Sequence, residues 1–126
     1  MKKELFEIDE EKYYLYVGTY QLNGRLYLGI TDVNDNICDD ITINLPGAND
    51  LGKDFVYLNG DMSSMIFNML KEKGIFDDPL YEENYNYGLY KVVNINKDKL
   101  IEYDKDGYAS FINEYKSNHL DNEMDR

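Results

Sequence analysis

Apolar and polar positions alternate with period two over two early segments of the chain. Residues 13–22 read Tyr-Tyr-Leu-Tyr-Val-Gly-Thr-Tyr-Gln-Leu, and residues 25–31 read Arg-Leu-Tyr-Leu-Gly-Ile-Thr. Asn23-Gly24 between them is a strong hairpin signal, because both central positions of a type I′ turn need positive φ. A two-residue loop sets Tyr20 opposite Tyr27, Thr19 opposite Leu28 and Val17 opposite Ile30. One face then carries Leu15, Val17, Leu26, Leu28 and Ile30, which marks it as the core side. The other carries Tyr14, Tyr16, Tyr20, Leu22 and Tyr27.

A third strand is predicted at about 37–45, with Ile41, Ile43 and Leu45 on one face, ended by Pro46-Gly47. Phe55-Val56-Tyr57-Leu58 reads as a short fourth strand. The period then changes to that of a helix. Met62, Met65, Ile66, Met69 and Leu70 fall at helical spacing over 61–73, with Asp61 or Ser63 as cap and Gly74 as stop. This helix is expected to lie across the aliphatic face of the sheet, with its methionines in the core. Residues 75–86 read as a connection and 87–95 as a fifth strand. Asn96 caps a short helix over 97–103. Asp104 or Asp106 starts a last helix to about 117, striped by Tyr108, Phe111, Ile112 and Tyr115. The segment 118–126 reads as a frayed polar tail. The expected fold is α+β in one domain over 1–126. It has a mainly antiparallel sheet of about five strands, one helix inserted after strand four, and two C-terminal helices.

Composition narrows the function classes. The 126 residues carry 25 acids against 13 bases, a formal net charge of -12. Such a chain repels nucleic acids and anionic membranes, whose binding needs Lys and Arg, and it favours a basic protein partner. One Cys and one His exclude an internal disulfide and argue against a zinc site within the chain. No apolar run is long enough for a signal peptide or a spanning helix, so the expected location is the cytoplasm of a bacterial host.

Catalytic chemistry finds no constellation. Asp32-Val33-Asn34-Asp35-Asn36 begins like an EF-hand loop, but Ile37 stands where that loop needs Gly and Ile43 where it needs Glu, so it reads as a hairpin turn. Cys38 has only the distant His119 as a possible base. Asp39 and Asp40 are adjacent on a strand and point to opposite faces. Glycine-rich phosphate-binding motifs are absent. The expectation is a protein that is not an enzyme and carries no cofactor or metal.

Two acid-rich stretches remain. From Asp32 to Asp61 there are seven acids (Asp32, Asp35, Asp39, Asp40, Asp50, Asp54, Asp61) against one base, Lys53. A second excess, at Asp77, Asp78, Glu82 and Glu83, is interleaved with Tyr81, Tyr85 and Tyr87. Carboxylates on a rigid surface with aromatics between them imitate phosphates and bases, and they suit Arg- and Lys-lined grooves. The tyrosine face of the first hairpin is expected under the C-terminal helices, the alternative being a partner anchor. An open sheet edge would also allow a homodimer.

Asp40-Ile41-Thr42-Ile43-Asn44-Leu45-Pro46-Gly47, followed by Phe55-Val56-Tyr57-Leu58-Asn59 and an amphipathic helix, resembles a domain-of-unknown-function family of bacterial conjugative elements, plasmids and phages. Gly88-Leu89-Tyr90-Lys91 and the run from Leu100 to Tyr108 are similar to its C-terminal pattern. The likeness spans roughly residues 13–116. It departs at Leu58-Asn59-Gly60-Asp61, where the family has an Asp or Thr before paired Asn residues. It implies no catalytic residue. It does imply a mobile-element origin, in which small acidic proteins antagonise host defence, including anti-CRISPR and anti-restriction proteins. The expected function is inhibition of a host nucleic-acid-binding complex, a CRISPR effector first, by occupying its basic groove. The alternative is an accessory interaction module of the element.

Overall fold

A computed structural model describes residues 2–124, with side chains described for residues 2–117. The strands are β1 (Glu4–Ile8), β2 (Glu11–Thr19), β3 (Leu26–Thr31), β4 (Ile37–Asp40), β5 (Thr42–Ile43), β6 (Phe55–Leu58), β7 (Tyr81–Tyr85) and β8 (Gly88–Asn94). The helices are α1 (Ser64–Glu72) and α2 (Lys97–Met124), and a 3-10 turn occupies Pro46–Asp50. The fold is α+β. Two antiparallel four-stranded sheets replace the single five-stranded sheet expected, one ordered β1-β2-β3-β4 and the other β5-β6-β8-β7. The third expected strand breaks at Ile41. Its first half pairs with β3, and its second half pairs with β6 on the other side. Ile41 joins the two sheets, donating its N–H to Leu28 and accepting from the Asn59 N–H, both at 2.9 Å.

The aliphatic face is as the alternation indicates. Leu15, Val17, Leu26, Leu28 and Ile30 are buried, and they share one core with Val56, Leu58 and Val93 of the second sheet. Leu70 of α1 and Leu100, Tyr103 and Phe111 of α2 close that core. The register differs from the expected one by two residues: Val17 faces Leu28 and Leu15 faces Ile30. Gly24 alone in the turn has positive φ (71°), whereas a type I′ turn needs two such residues. The loop is longer instead, closed by Gly24 N–H to Tyr20 O and Tyr20 N–H to Arg25 O, each 2.8 Å. A slip of two keeps every side chain on its face, so the core assignment survives.

Helix α1 starts where Ser63 Oγ accepts the Ile66 N–H at 3.2 Å. It ends with the Ile75 N–H bonded to Leu70 O and the Gly74 N–H to Lys71 O, the Schellman pattern. Met62 and Met69 pack on the core, but Met65 is exposed. Asn96 Oδ1 accepts the Asp98 N–H at 3.1 Å and opens α2. The two expected C-terminal helices form one element whose backbone leaves helical geometry at Asp104 (φ −151°, ψ 73°). Asp104 restarts the helix by accepting the Gly107 N–H at 3.3 Å through Oδ1. Its Oδ2 accepts the Val17 N–H at 2.8 Å, beyond the end of β1 on the same edge of β2. Buried Asp104 thus joins helix to sheet. The expected tail and His119 lie outside the residues whose side chains are described. No helix among the described residues is long and apolar enough to cross a membrane.

Candidate functional site: an exposed acidic hairpin

The segment Tyr81-Glu82-Glu83-Asn84-Tyr85, expected as part of a connection, is the edge strand β7. It forms because β8 beside it is anchored on both faces: Val92 is buried in a small second core with Leu45, Ala48 and Tyr57, and Val93 in the main one. Asn86-Tyr87 makes the two-residue loop, with Tyr85 opposite Gly88 and Asn86 at φ 53°. All five β7 residues are exposed. Of the eleven exposed large apolar side chains among the described residues, five lie here: Leu80, Tyr81, Tyr85, Tyr87 and Leu89, with Tyr87 fully in solvent. Surface residues of this kind scattered singly mean little, but their concentration on one element makes it the candidate surface.

Register sorts the hairpin into two faces. Tyr81, Glu83 and Tyr85 share a face with Tyr90 and Val92, and through β8 with Tyr57 of β6. Glu82 and Asn84 share the other with Leu89 and Lys91. On the first face Tyr57 Oη donates to Glu83 Oε2. Burial, and then this bond, push the Tyr57 phenol well above its ordinary pKa of 10, and the Asp50 carboxylate adds to the effect. Glu83 of the second acidic stretch is thus bonded to Tyr57, and the charge of Asp50 in the first acts on the same phenol. On the second face a groove of about 330 Å³ runs between β8 and α1, lined by Phe67, Leu89 and Lys91 among others.

The remaining acids divide by what they hold. Asp32 Oδ1 accepts the N–H groups of Asn34 (2.8 Å) and Asn36 (3.0 Å), fixing the β3–β4 turn. Those bonds, the Asn36 N–H foremost, hold its pKa below the ordinary 3.8. Asp39 faces Ile30 and Asp40 faces Gly29, on opposite sides of β4 as expected. Asp40 Oδ1 accepts from Tyr27 Oη at 2.6 Å. Asp78 pairs with Lys71 at 2.5 Å, and Asp54 lies 4.0 Å from Lys53. Asp32, Asp40, Asp78 and Glu83 are thus occupied within the fold. Among the described residues, Asp35, Asp39, Asp50, Asp77 and Glu82 have no side-chain partner and present their charge to solvent. β5, which continues the strand of Asp39 and Asp40, is three strand spacings, about 14 Å, from β7.

The tyrosine face of the first hairpin is not part of either core. Tyr27 packs edge to face on Tyr16 (5.9 Å) and Tyr20 (5.4 Å), and Tyr16 is 42% exposed. Cys38 is exposed, and its thiol is pushed above its ordinary pKa, first by desolvation and then by the Asp32 charge. Among the described residues no three His, Cys, Asp or Glu side chains gather as metal ligands would.

Sequence reasoning missed the burial of Arg25, which ties down the loop leading into β6. The residue as a whole is only 8% exposed. It donates to Leu51 O (3.0 Å), Gly52 O (2.8 Å) and Phe55 O (2.9 Å). Burial lowers its pKa below the ordinary arginine value. These bonds tie down the loop that follows the 3-10 turn, and with it Ala48 and Leu51 against Tyr57. An Arg next to a Gly turn carries no outward sign of burial; the nearest signal is its place between Gly24 and the buried run from Leu26. No family model, no curated protein and no solved structure matches the chain.

Proposed function

We propose that this chain is a non-catalytic acidic binding protein of a phage or mobile element. It inhibits a host nucleic-acid-binding defence complex by occupying its basic groove, and a CRISPR effector is the first target to test. The observation that carries the reading is the projecting β7–β8 hairpin. It combines Glu82, Tyr81, Tyr85 and Tyr87 at an open edge. Glu83 lies on the same face as Tyr81 and Tyr85, and the net charge is -12. Carboxylates reach Lys and Arg, and exposed rings stack where bases would. The resemblance to a mobile-element family supplies the host-defence context. Neither nucleic acid nor membrane is a direct partner in this reading, and the setting is the bacterial cytoplasm.

The test changes only acids that the fold leaves free. Asp39, Asp50, Asp77 and Glu82 are replaced together by Lys, moving the net charge from -12 to -4 (four reversals, eight charges). The reading expects a folded variant that no longer binds the basic partner. A folded variant with undiminished binding refutes it. Binding of the unaltered chain that persists at high salt favours an accessory module docked through Leu80, Tyr85 and Leu89 instead.

A further inference from the structure

We infer that β7 is a strand-addition edge, and that its occupant is an extended basic segment of the partner protein. This rests on the proposed function and specifies how the partner is held. Among the described residues the outer side of β7 has no neighbour in its sheet, whose order ends β6-β8-β7. In an antiparallel pair closed by a two-residue loop, the residues flanking the loop exchange both ladder bonds and the alternation continues from there. Tyr85, Glu83 and Tyr81 therefore bond to β8, while Glu82 and Asn84 turn their N–H and C=O groups outward. Such a row of unmet groups is a template for another strand.

Folded proteins usually blunt such an edge with Lys, Pro, a bulge or a covering loop. Here the paired part of β7 runs through five residues in unbroken register with β8, and contains neither Lys nor Pro. Charge selects the occupant. A second copy of this chain, paired antiparallel in the register that uses the whole strand, sets Glu83 against Glu83 with Glu82 of each copy close by. Like charges directly opposite oppose pairing. A strand with Lys or Arg at alternate positions meets Glu82 on one face of the ladder. Its intervening side chains lie beside Tyr81 and Tyr85 on the other.

The probe is a synthetic peptide, Lys-Thr-Lys-Val-Lys-Thr-Lys, titrated into the full chain and followed by amide chemical shifts and calorimetry. The controls are the same peptide with alternate backbone nitrogens methylated, and one with Glu in place of Lys. On the protein side, Asn84→Pro removes an outward N–H while leaving the β8 ladder and every charge intact. The expected result is shift changes centred on Glu82 and Asn84. Asn84→Pro and the methylated peptide should each weaken binding about tenfold or more, as loss of backbone bonds requires. The Glu peptide should not bind. The methylated peptide keeps the test decisive if Asn84→Pro disturbs the hairpin. Undiminished binding of the methylated peptide overturns strand addition. If Glu82→Lys still abolishes binding in that case, the acidic-surface reading stands without it. If Glu82→Lys is also without effect, both fall.

Discussion

Replacing Arg25 by Met removes a buried cation whose fork bridges three backbone carbonyls, while keeping an unbranched apolar stem in its place. The three bonds, to Leu51, Gly52 and Phe55, are 2.8 to 3.0 Å long and have a charged donor. At about 1.5 kcal/mol each they sum to roughly 4.5 kcal/mol. Relief of the guanidinium's desolvation returns part of this, leaving a loss of about 3 kcal/mol. For a chain of this size that lowers the melting temperature by about 12 °C. Urea unfolding followed by circular dichroism measures the loss, with an unchanged slope as the sign that the unfolded state is the same. Amide exchange at Leu51 and Phe55 should accelerate, because the loop over Tyr57 loses its tether. Arg25→Lys should lie between, since an ammonium cannot span all three carbonyls. A loss below about 1 kcal/mol in Arg25→Met would refute the reasoning. It would mean that burial of Leu45, Ala48 and Leu51 holds the loop alone.

Gly107→Ala should destabilise by more than about 2 kcal/mol in the same urea assay, because a Cβ there collides with the Val17 carbonyl and the Asp104 carboxylate. Asp104→Ala should cost a similar amount, about 2 to 3 kcal/mol, by leaving the buried Val17 N–H unmet. The phenols of Tyr27 and Tyr57 are raised above 10, chiefly by burial and then by bonds to Asp40 and Glu83. Their contribution to stability is therefore complete below pH 10 and is lost as pH rises toward their folded values. Absorbance near the tyrosinate band should show Tyr27 and Tyr57 titrating last, after the smaller upward shifts of Tyr13, Tyr20 and Tyr108, and Tyr57→Phe should remove one of the two latest steps. Asp32 behaves in the opposite sense. Its folded pKa lies below 3.8, so its contribution is present above that value and is lost as pH falls through the lower one. Asp32→Ala should flatten that acid limb of the stability profile.

The parts of the fold that the sequence shows are those with one wet and one dry face. Leu15, Val17, Leu28 and Ile30 alternate cleanly, so their burial follows even though the hairpin register is displaced by two. Ser63, Asn96 and Asp104 announce helix starts because a cap must present an oxygen to unmet N–H groups. β7 was hidden because both its faces meet solvent: Glu82-Glu83-Asn84 has neither alternation nor strand-favouring residues, and it is held by β8 instead. β1 was hidden by its turn, where Asp9 (φ 52°) and Glu10 (φ 68°) take positive φ without glycine. The division into two sheets depends on Ile41, whose two neighbours lie far apart in sequence. In the candidate site, composition identified the acids but could not sort them. Asp32, Asp40, Asp78 and Glu83 are spent on turns, tyrosines and a lysine. Glu82 remains free on the hairpin that carries the exposed rings of Tyr81, Tyr85 and Tyr87, and Asp50 remains free at the end of the 3-10 turn.

The most direct test of the account is a competition between this chain and nucleic acid for one captured partner. The tagged chain is incubated with lysate of a bacterium carrying defence systems, then washed at about 0.1 M and about 0.5 M salt, where the Debye length falls from roughly 10 Å to about 4 Å. Any nucleic-acid-handling protein retained is challenged with its own DNA or RNA. The account predicts capture at low salt, release at high salt, displacement by the nucleic acid, and no capture by the fourfold Lys variant. A partner that stays bound at high salt and ignores its nucleic acid would contradict it.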